Sequence, residues 1–201
     1  MQIQTEKSLR ELYNTPSERA QKKVISQLDK HAIHFIALSP FLVLSTCSNA
    51  GKMDASPRGG APSFVHVLSP SQLLIPDASG NNRLDSLVNI VETSRIGLLF
   101  LLPGVDETLR INGTAEMRTD ANYLALFSKE KNPPKTCLLV NINEVFLHCA
   151  KALMRSKLWD ETTRINRKDF PTMGQMLKDQ IGGAEVAESH EDMVKRYQKD
   201  L

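Results

Sequence analysis

The spacing of apolar residues changes character along the chain, and each change predicts an element. Over the first thirty residues Val24, Ile25, Leu28 and Ala32 fall on one face at helical spacing. Thr15 followed by Pro16 supplies a start signal, so this stretch reads as helix. From Phe41 the period shortens. FLVLSTC is a brief apolar run with β-branched members, and SFVHVLS alternates, with Phe64 and His66 opposed to Val65 and Val67. Between them, NAGKMDASPRGGAP is dense in Gly, Pro and Ser and predicts a loop or an irregular strand edge. QLLIPD is a brief strand and ASGNNR a turn. LDSLVNIVET then places Leu84, Leu87, Val88 and Val91 at i, i+3, i+4 and i+7, a short amphipathic helix.

IGLLFLL predicts a buried strand. In TLRINGTAEMR, Leu109, Ile111, Ala115 and Met117 alternate with Arg110, Asn112, Thr114 and Glu116. Asn112-Gly113 fits a two-residue hairpin, but the alternation keeps phase across it and fits a strand with a glycine bulge equally well. ANYLALF reads as helix, NPPK as a turn, and CLLVNINEVFLHC as a long strand leading into KALMRSKLW. Helical fragments around MGQMLKDQI and EDMVKRYQKD, joined by IGGAE, close the chain. The expected architecture is mainly β (α+β), a small barrel or strongly curved sheet decorated by helices. One domain spans 1–201, with N-terminal helices over 1–34, a barrel over 35–150 and a C-terminal helical segment over 151–201.

Composition narrows the partners. The 201 residues carry 25 basic and 23 acidic side chains, a net charge of +2, and aromatics are only 5%. A phosphate-backbone binder needs a concentrated basic footprint and stacking platforms, so no nucleic acid is expected. The longest apolar run, Ile96–Leu102, is far short of the ~20 residues that span a bilayer, so no membrane is expected. The opening residues lack the apolar core of a signal peptide. Cys47, Cys137 and Cys149 form no CxxC pair, which together suit a cytoplasmic protein. Cys47, in an apolar strand, reads as a buried small hydrophobe. His31, His34, His148 and Cys149 lack metal-ligand spacing, and no metal is expected.

Three segments carry candidate chemistry. In GNNRLDSL a Gly- and Asn-rich turn opens directly into a helix. Unpaired N–H groups there suit an anion, with Arg83 and Ser86 adding a guanidinium and a hydroxyl; the same segment also reads as a plain turn with Asn82 or Asp85 as helix cap. In SPRGG, Arg58 supplies a cation and two glycines allow close approach to the main chain, or the segment is simply a loop before a strand. In HCAKALMRSKLW, Lys151, Arg155 and Trp159 recur at i, i+4 and i+8. A helix would set two cations and an indole on one face, either for an aromatic anion or as a solvated surface.

The strings MDASPRGG, FVHV, LLIPDASGNNRLDSLVNIVETSRIGLLFLLPG and ETLRINGTAEM, in this order, resemble the pyridoxamine 5′-phosphate oxidase-like family of FMN-binding split barrels. VFLHCAKALMRSKLW resembles the C-terminal part of an uncharacterised bacterial branch of it. The resemblance covers roughly residues 35 to 160. It implies a six-stranded Greek-key split barrel that forms a homodimer, with FMN at the subunit interface. Asn82, Arg83 and Ser86 match the phosphate grip, and Ser56, Pro57, Arg58 and Gly59 the strand beside the isoalloxazine. Ile75, Pro76 and Asp77 would lie along the ribityl chain, and the partner subunit would contribute from Lys151, Arg155 and Trp159. Leu84 follows Arg83 where the vitamin B6 oxidases usually carry a lysine, and no C-terminal Arg-x-His signature is present.

The expected activity is therefore FMN-dependent oxidation or reduction of a small-molecule substrate by hydride transfer. No side chain stands out as its catalytic acid or base. Two rivals stay open: a flavin-binding or flavin-storing protein without turnover, and a barrel that holds deazaflavin or haem.

Overall fold

The computed structural model describes residues 2–183 and 186–200. Seven strands form one antiparallel sheet: β1 (Phe41–Cys47), β2 (Met53–Gly59), β3 (His66–Ser69), β4 (Gln72–Pro76), β5 (Arg95–Leu101), β6 (Thr108–Arg118) and β7 (Cys137–His148). Their spatial order is β2-β1-β5-β6-β7-β4-β3. The resemblance implied six strands, and the described residues form seven; β2 is the strand that the hydropathy pattern did not show. Its segment was expected to be a loop or an irregular edge, yet Met53–Gly59 pairs residue for residue with Cys47–Phe41. The reason it escaped the pattern is chemical. Asp54, Ser56 and Arg58 lie opposite Thr46, Leu44 and Leu42, on the core side of the sheet, so the inward positions are polar. Pro57 is tolerated because β2 is an edge strand with a single neighbour.

The hairpin reading of Asn112-Gly113 is overturned, since β6 runs through both residues. Pairing with β7 passes from Asn112↔Glu144 to Gly113↔Ile142, which leaves Asn143 with no opposite residue. The bulge therefore lies in β7, and β6 keeps its phase. The core face of β7 shifts by one as a consequence, with Leu138, Val140 and Ile142 buried before it and Val145 after it. Gly113 is what allows this: a Cβ there would stand 2.0 Å from the carbonyl oxygen of Asn141.

The first thirty residues are not one helix. They form α1 (Glu6–Arg10) and α2 (Glu18–Lys22), neither with a buried residue, and α2 is capped by Ser17 rather than started at Thr15. Ile25 then bridges β7, its N–H and carbonyl both bonded to Val145 at 3.0 and 2.8 Å. Only Leu28 and Ala32 of the expected apolar face are buried. The next helix, α3 (Lys30–Leu38), capped by Asp29, adds Phe35 and Ile36 to the core. Before β3 the expected alternation also fails. Ser63 turns at φ 71°, and Phe64 and Val65 are both buried.

One apolar core, built from β1, β4, β5, β6 and β7, is capped by α3 and by α4 (Asp85–Thr93). A smaller cluster of Leu74, Phe127, Cys137 and Leu139 lies on the other face of β4 and β7, under α5 (Ala121–Leu124). Cys47 is half-buried, not buried, and Cys137 takes the interior position. The chain ends in α6 (Lys151–Ser156), α7 (Met173–Ile181) and α8 (His190–Tyr197), none of which buries a residue. Of the IGGAE connection, Ala184 and Glu185 lie outside the described residues. No helix among the described residues is long and apolar enough to cross a membrane.

Candidate functional site

Two of the three candidate segments meet at one corner of the sheet. The polar face of β2 carries Asp54, Ser56 and Arg58, and α4 lies across its start. The hydroxyl of Ser86, buried on the inner side of α4, donates to Asp54 Oδ2. One turn on, Asn89 Nδ2 donates to Thr46 Oγ1 at 3.0 Å, and Thr93 Oγ1 donates to the carbonyl of Cys47 at 3.0 Å. Thus α4 sits on the β1–β2 hairpin through a row of polar contacts, Ser86, Asn89 and Thr93, spaced by helical turns.

That row corrects the expected helix face. Leu87 and Ile90 are buried, but Leu84, Val88 and Val91 point to solvent at 51%, 49% and 74% exposure. Polar residues face inward here and three apolar ones face outward.

At the entrance to α4, Asn82 and Leu84 both adopt left-handed backbone, at φ 59° each. Neither Asn82 nor Asp85 caps the helix. The N-cap position is Leu84, which has no polar side chain to offer, so the first N–H groups have no side-chain acceptor among the described residues. The Arg83 N–H is held by Asn81 Oδ1 at 3.0 Å, and its guanidinium Nε donates to Asp85 Oδ2 at 2.8 Å. The terminal nitrogens of this exposed guanidinium make no hydrogen bond among the described residues, and Asp54 lies within its field.

The second group faces the end of β4. Arg58 Nη1 donates to Ser56 Oγ and, at 2.9 Å, to the carbonyl of Pro57. Its charge acts on Asp77, just past β4, whose backbone N–H donates to Thr136 O at 3.1 Å. Burial pushes the Asp77 carboxyl above its ordinary range, and Arg58 and the Thr136 hydroxyl only partly offset this. Pro57 and Gly59 are on the exposed face of β2, and Pro76 is half-buried. Ile75 points into the core with no exposed surface, whereas Pro76 and Asp77 stay half-buried.

The third segment stands apart. α6 ends at Ser156 and Lys157 turns into left-handed backbone, so Trp159 does not continue the face of Lys151 and Arg155. Both cations are exposed. The Trp159 indole donates to Val105 O at 2.9 Å and pins the C-terminal segment to the β5–β6 turn. There it lines a cleft of about 350 Å³ with Asp106, Met154 and Lys157.

Asp54 and Thr136 were not singled out from the sequence. The signal for Asp54 was the period of two in Asp54, Ser56 and Arg58, hidden because a polar inward face does not look like a strand. Thr136, in a Pro-rich turn, carried no signal; it meets Asp77 only through the fold. Among the described residues no group of three or more His, Cys, Asp or Glu stands ready for a metal ion.

A family model described as pyridoxamine 5′-phosphate oxidase matches residues 28–149, more than half of the chain. The chain belongs to the pyridoxamine 5′-phosphate oxidase family. The match runs from Leu28 through the bulge of β7 and takes in every candidate residue except Lys151, Arg155 and Trp159. No curated protein matches the chain in sequence. Among solved structures it is similar to HupZ of Group A Streptococcus, at 15% identity over 60% of this chain and 93% of that one, with a TM-score of 0.50. It is also similar to a protein of Lactobacillus delbrueckii described as a putative pyridoxamine 5′-phosphate oxidase, at 22% identity over 61% and 95%, TM-score 0.48. A third is an FMN-binding protein of Syntrophomonas wolfei, at 16% identity over 58% and 81%, TM-score 0.43. At these identities the HupZ likeness speaks for the fold alone.

Proposed function

We propose that the chain is an FMN-binding oxidoreductase that works as a homodimer. The seven-stranded sheet is read as the family's split barrel, with FMN held at the corner between β2, the end of β4 and the start of α4, at the subunit interface. The observation that carries the reading is the uncapped start of α4 beside Arg83. Free N–H groups and an exposed guanidinium with unused terminal nitrogens suit a phosphate dianion. Ser86, its hydroxyl donated to Asp54, ties this end of the site to β2.

The rest of the donor set fits the remainder of FMN. Arg58 and Ser56 supply a cation and a hydroxyl on the polar face of β2, suited to a ring carbonyl edge. Asp77 supplies an acceptor for hydroxyl groups. Lys151, Arg155 and Trp159 are assigned to the partner's site, the two cations being exposed on the surface of their own chain. When bound, FMN supplies hydride transfer; the chain's residues bind it, orient it and set the charge around it.

The test is addition of FMN to the purified protein, followed by anaerobic reduction with NADH or NADPH and reoxidation by candidate acceptors. Flavin absorbance that stays with the protein and bleaches on reduction is the expected result. A protein that leaves FMN free refutes the reading. Bound flavin that no reductant bleaches refutes turnover and leaves a flavin carrier.

A further inference from the structure

We infer that α7 of one chain docks on the outer face of α4 of a second copy of the same chain. The inference extends the dimer of the proposed function by naming surfaces that form it. Two apolar stripes lie uncovered in the single chain. On α4, Leu84, Val88 and Val91 recur at i, i+4 and i+7 and face solvent. On α7, Met173, Leu177 and Ile181 recur at i, i+4 and i+8, at 44%, 44% and 78% exposure. A nine-residue helix gains little from propensity alone, and an apolar stripe in water does not stabilise it. α7 packs chiefly on the α8 side, where Gly174 closely approaches Glu188, and this leaves its apolar stripe bare.

Three features point to a second copy as the occupant. First, the chain exposes 14058 Å². A compact monomer of 22.5 kDa exposes about 9,500 Å². The difference is more than enough for a stable dimer, in which each partner buries on the order of 800 Å² or more. Second, the C-terminal segment is already anchored on its own chain at both ends, by Trp159 on Val105 and by Lys131 and Asn132 on the carbonyls of Gln198 and Lys199 just past α8, and with those bonds made the α7 stripe stays bare. Third, both surfaces belong to every chain, so α7 on α4 and its two-fold mate form one closed, self-complementary interface. The docked helix covers Leu84, next to Arg83, and so shields the phosphate end of the candidate site from solvent.

The test is cross-linking between differently tagged chains, in a background with Cys47 and Cys149 replaced by serine and its dimer verified by light scattering. One chain carries Val88→Cys or Val91→Cys, and the other carries Leu177→Cys or Ile181→Cys. A flexible bismaleimide is expected to give a product bearing both tags. A chain carrying both substitutions that cross-links only within itself overturns the inference, as does the absence of any product. A monomeric wild-type protein overturns both the docking and the dimer of the proposed function, whereas a dimer without the cross-link overturns the docking alone. In a second variant, Leu177→Asp with Ile181→Asp, the substituted side chains are exposed in the single chain. It is expected to keep its far-ultraviolet circular dichroism and to weaken dimerisation at least tenfold; an unchanged dimer overturns the inference.

Discussion

Ser86, on the buried side of α4, donates its hydroxyl proton to Asp54 at the start of β2. The two are 32 positions apart, and their bond joins the turn that carries Arg83 to the strand that carries Arg58. It also puts a carboxylate beside the donors assigned to a phosphate. Ser86→Ala leaves Asp54 without this partner and should lower stability by about 1–3 kcal/mol in denaturant unfolding. Asp54→Asn keeps an acceptor for Ser86 and removes the charge. Its FMN affinity should rise, roughly three- to tenfold at low salt and less at high salt. An affinity that falls would show that Asp54 assists the ligand.

The Arg83 side chain is 70% exposed and, among the described residues, bonds only to Asp85, so the fold owes it little. Arg83→Ala should leave the melting temperature nearly unchanged. FMN binding followed by flavin fluorescence should weaken by about 1.5–3 kcal/mol, the value of a charge-assisted bond to phosphate. Equal affinity for both proteins would remove Arg83 from the site.

Gly113 faces the carbonyl of Asn141 across the bulge of β7, at a spacing no side chain can enter. The neighbour is backbone, not a movable side chain. Gly113→Ala should force β6 and β7 apart and cost on the order of 3 kcal/mol. Thermal unfolding and hydrogen exchange at Ile142 and Val145 would report it; a normal melting temperature would contradict the register.

Asp77 has a carboxyl whose burial holds its proton affinity above that of the unfolded chain. The folded state therefore binds more protons than the unfolded state between the two values. The ionised group opposes folding once the pH rises through the folded value, and this penalty is absent below the ordinary carboxylate range, at about pH 4. Asp77→Asn should stabilise the protein at neutral pH, with the gain shrinking as the pH falls toward that range. A melting-temperature difference independent of pH would refute this.

Much of the fold was legible in the chain. The apolar runs of β1, β5 and β7 and the alternation of β6 predicted strands because their inward positions are hydrophobic and spaced by two. The hydropathy pattern of β2 read only as a loop or an irregular strand edge because Asp54, Ser56 and Arg58 occupy the inward positions, and only pairing with β1 shows which way they point. The face of α4 was misread for a related reason. Ser86 and Asn89 are buried because Asp54 and Thr46 receive their hydrogen bonds, and no local pattern announces partners that distant. Of the candidate residues, Arg58, Asp77, Arg83 and Ser86 come to one corner. Ile75 turns into the core, and Trp159 leaves the helix face it was placed on because Lys157 ends that helix.

By itself the sequence determined the mainly β architecture, the family and the two segments that carry Arg58 and Arg83. Those follow from local periodicity, turn chemistry and long matching strings, all of which are read along the chain. Only the tertiary structure decided that Asp54 joins the site, that the bulge belongs to β7 and that α4 turns its apolar stripe outward. Each depends on what lies opposite a residue across a gap. A hydrogen bond or a steric clash between residues tens of positions apart leaves no period in the sequence around either one.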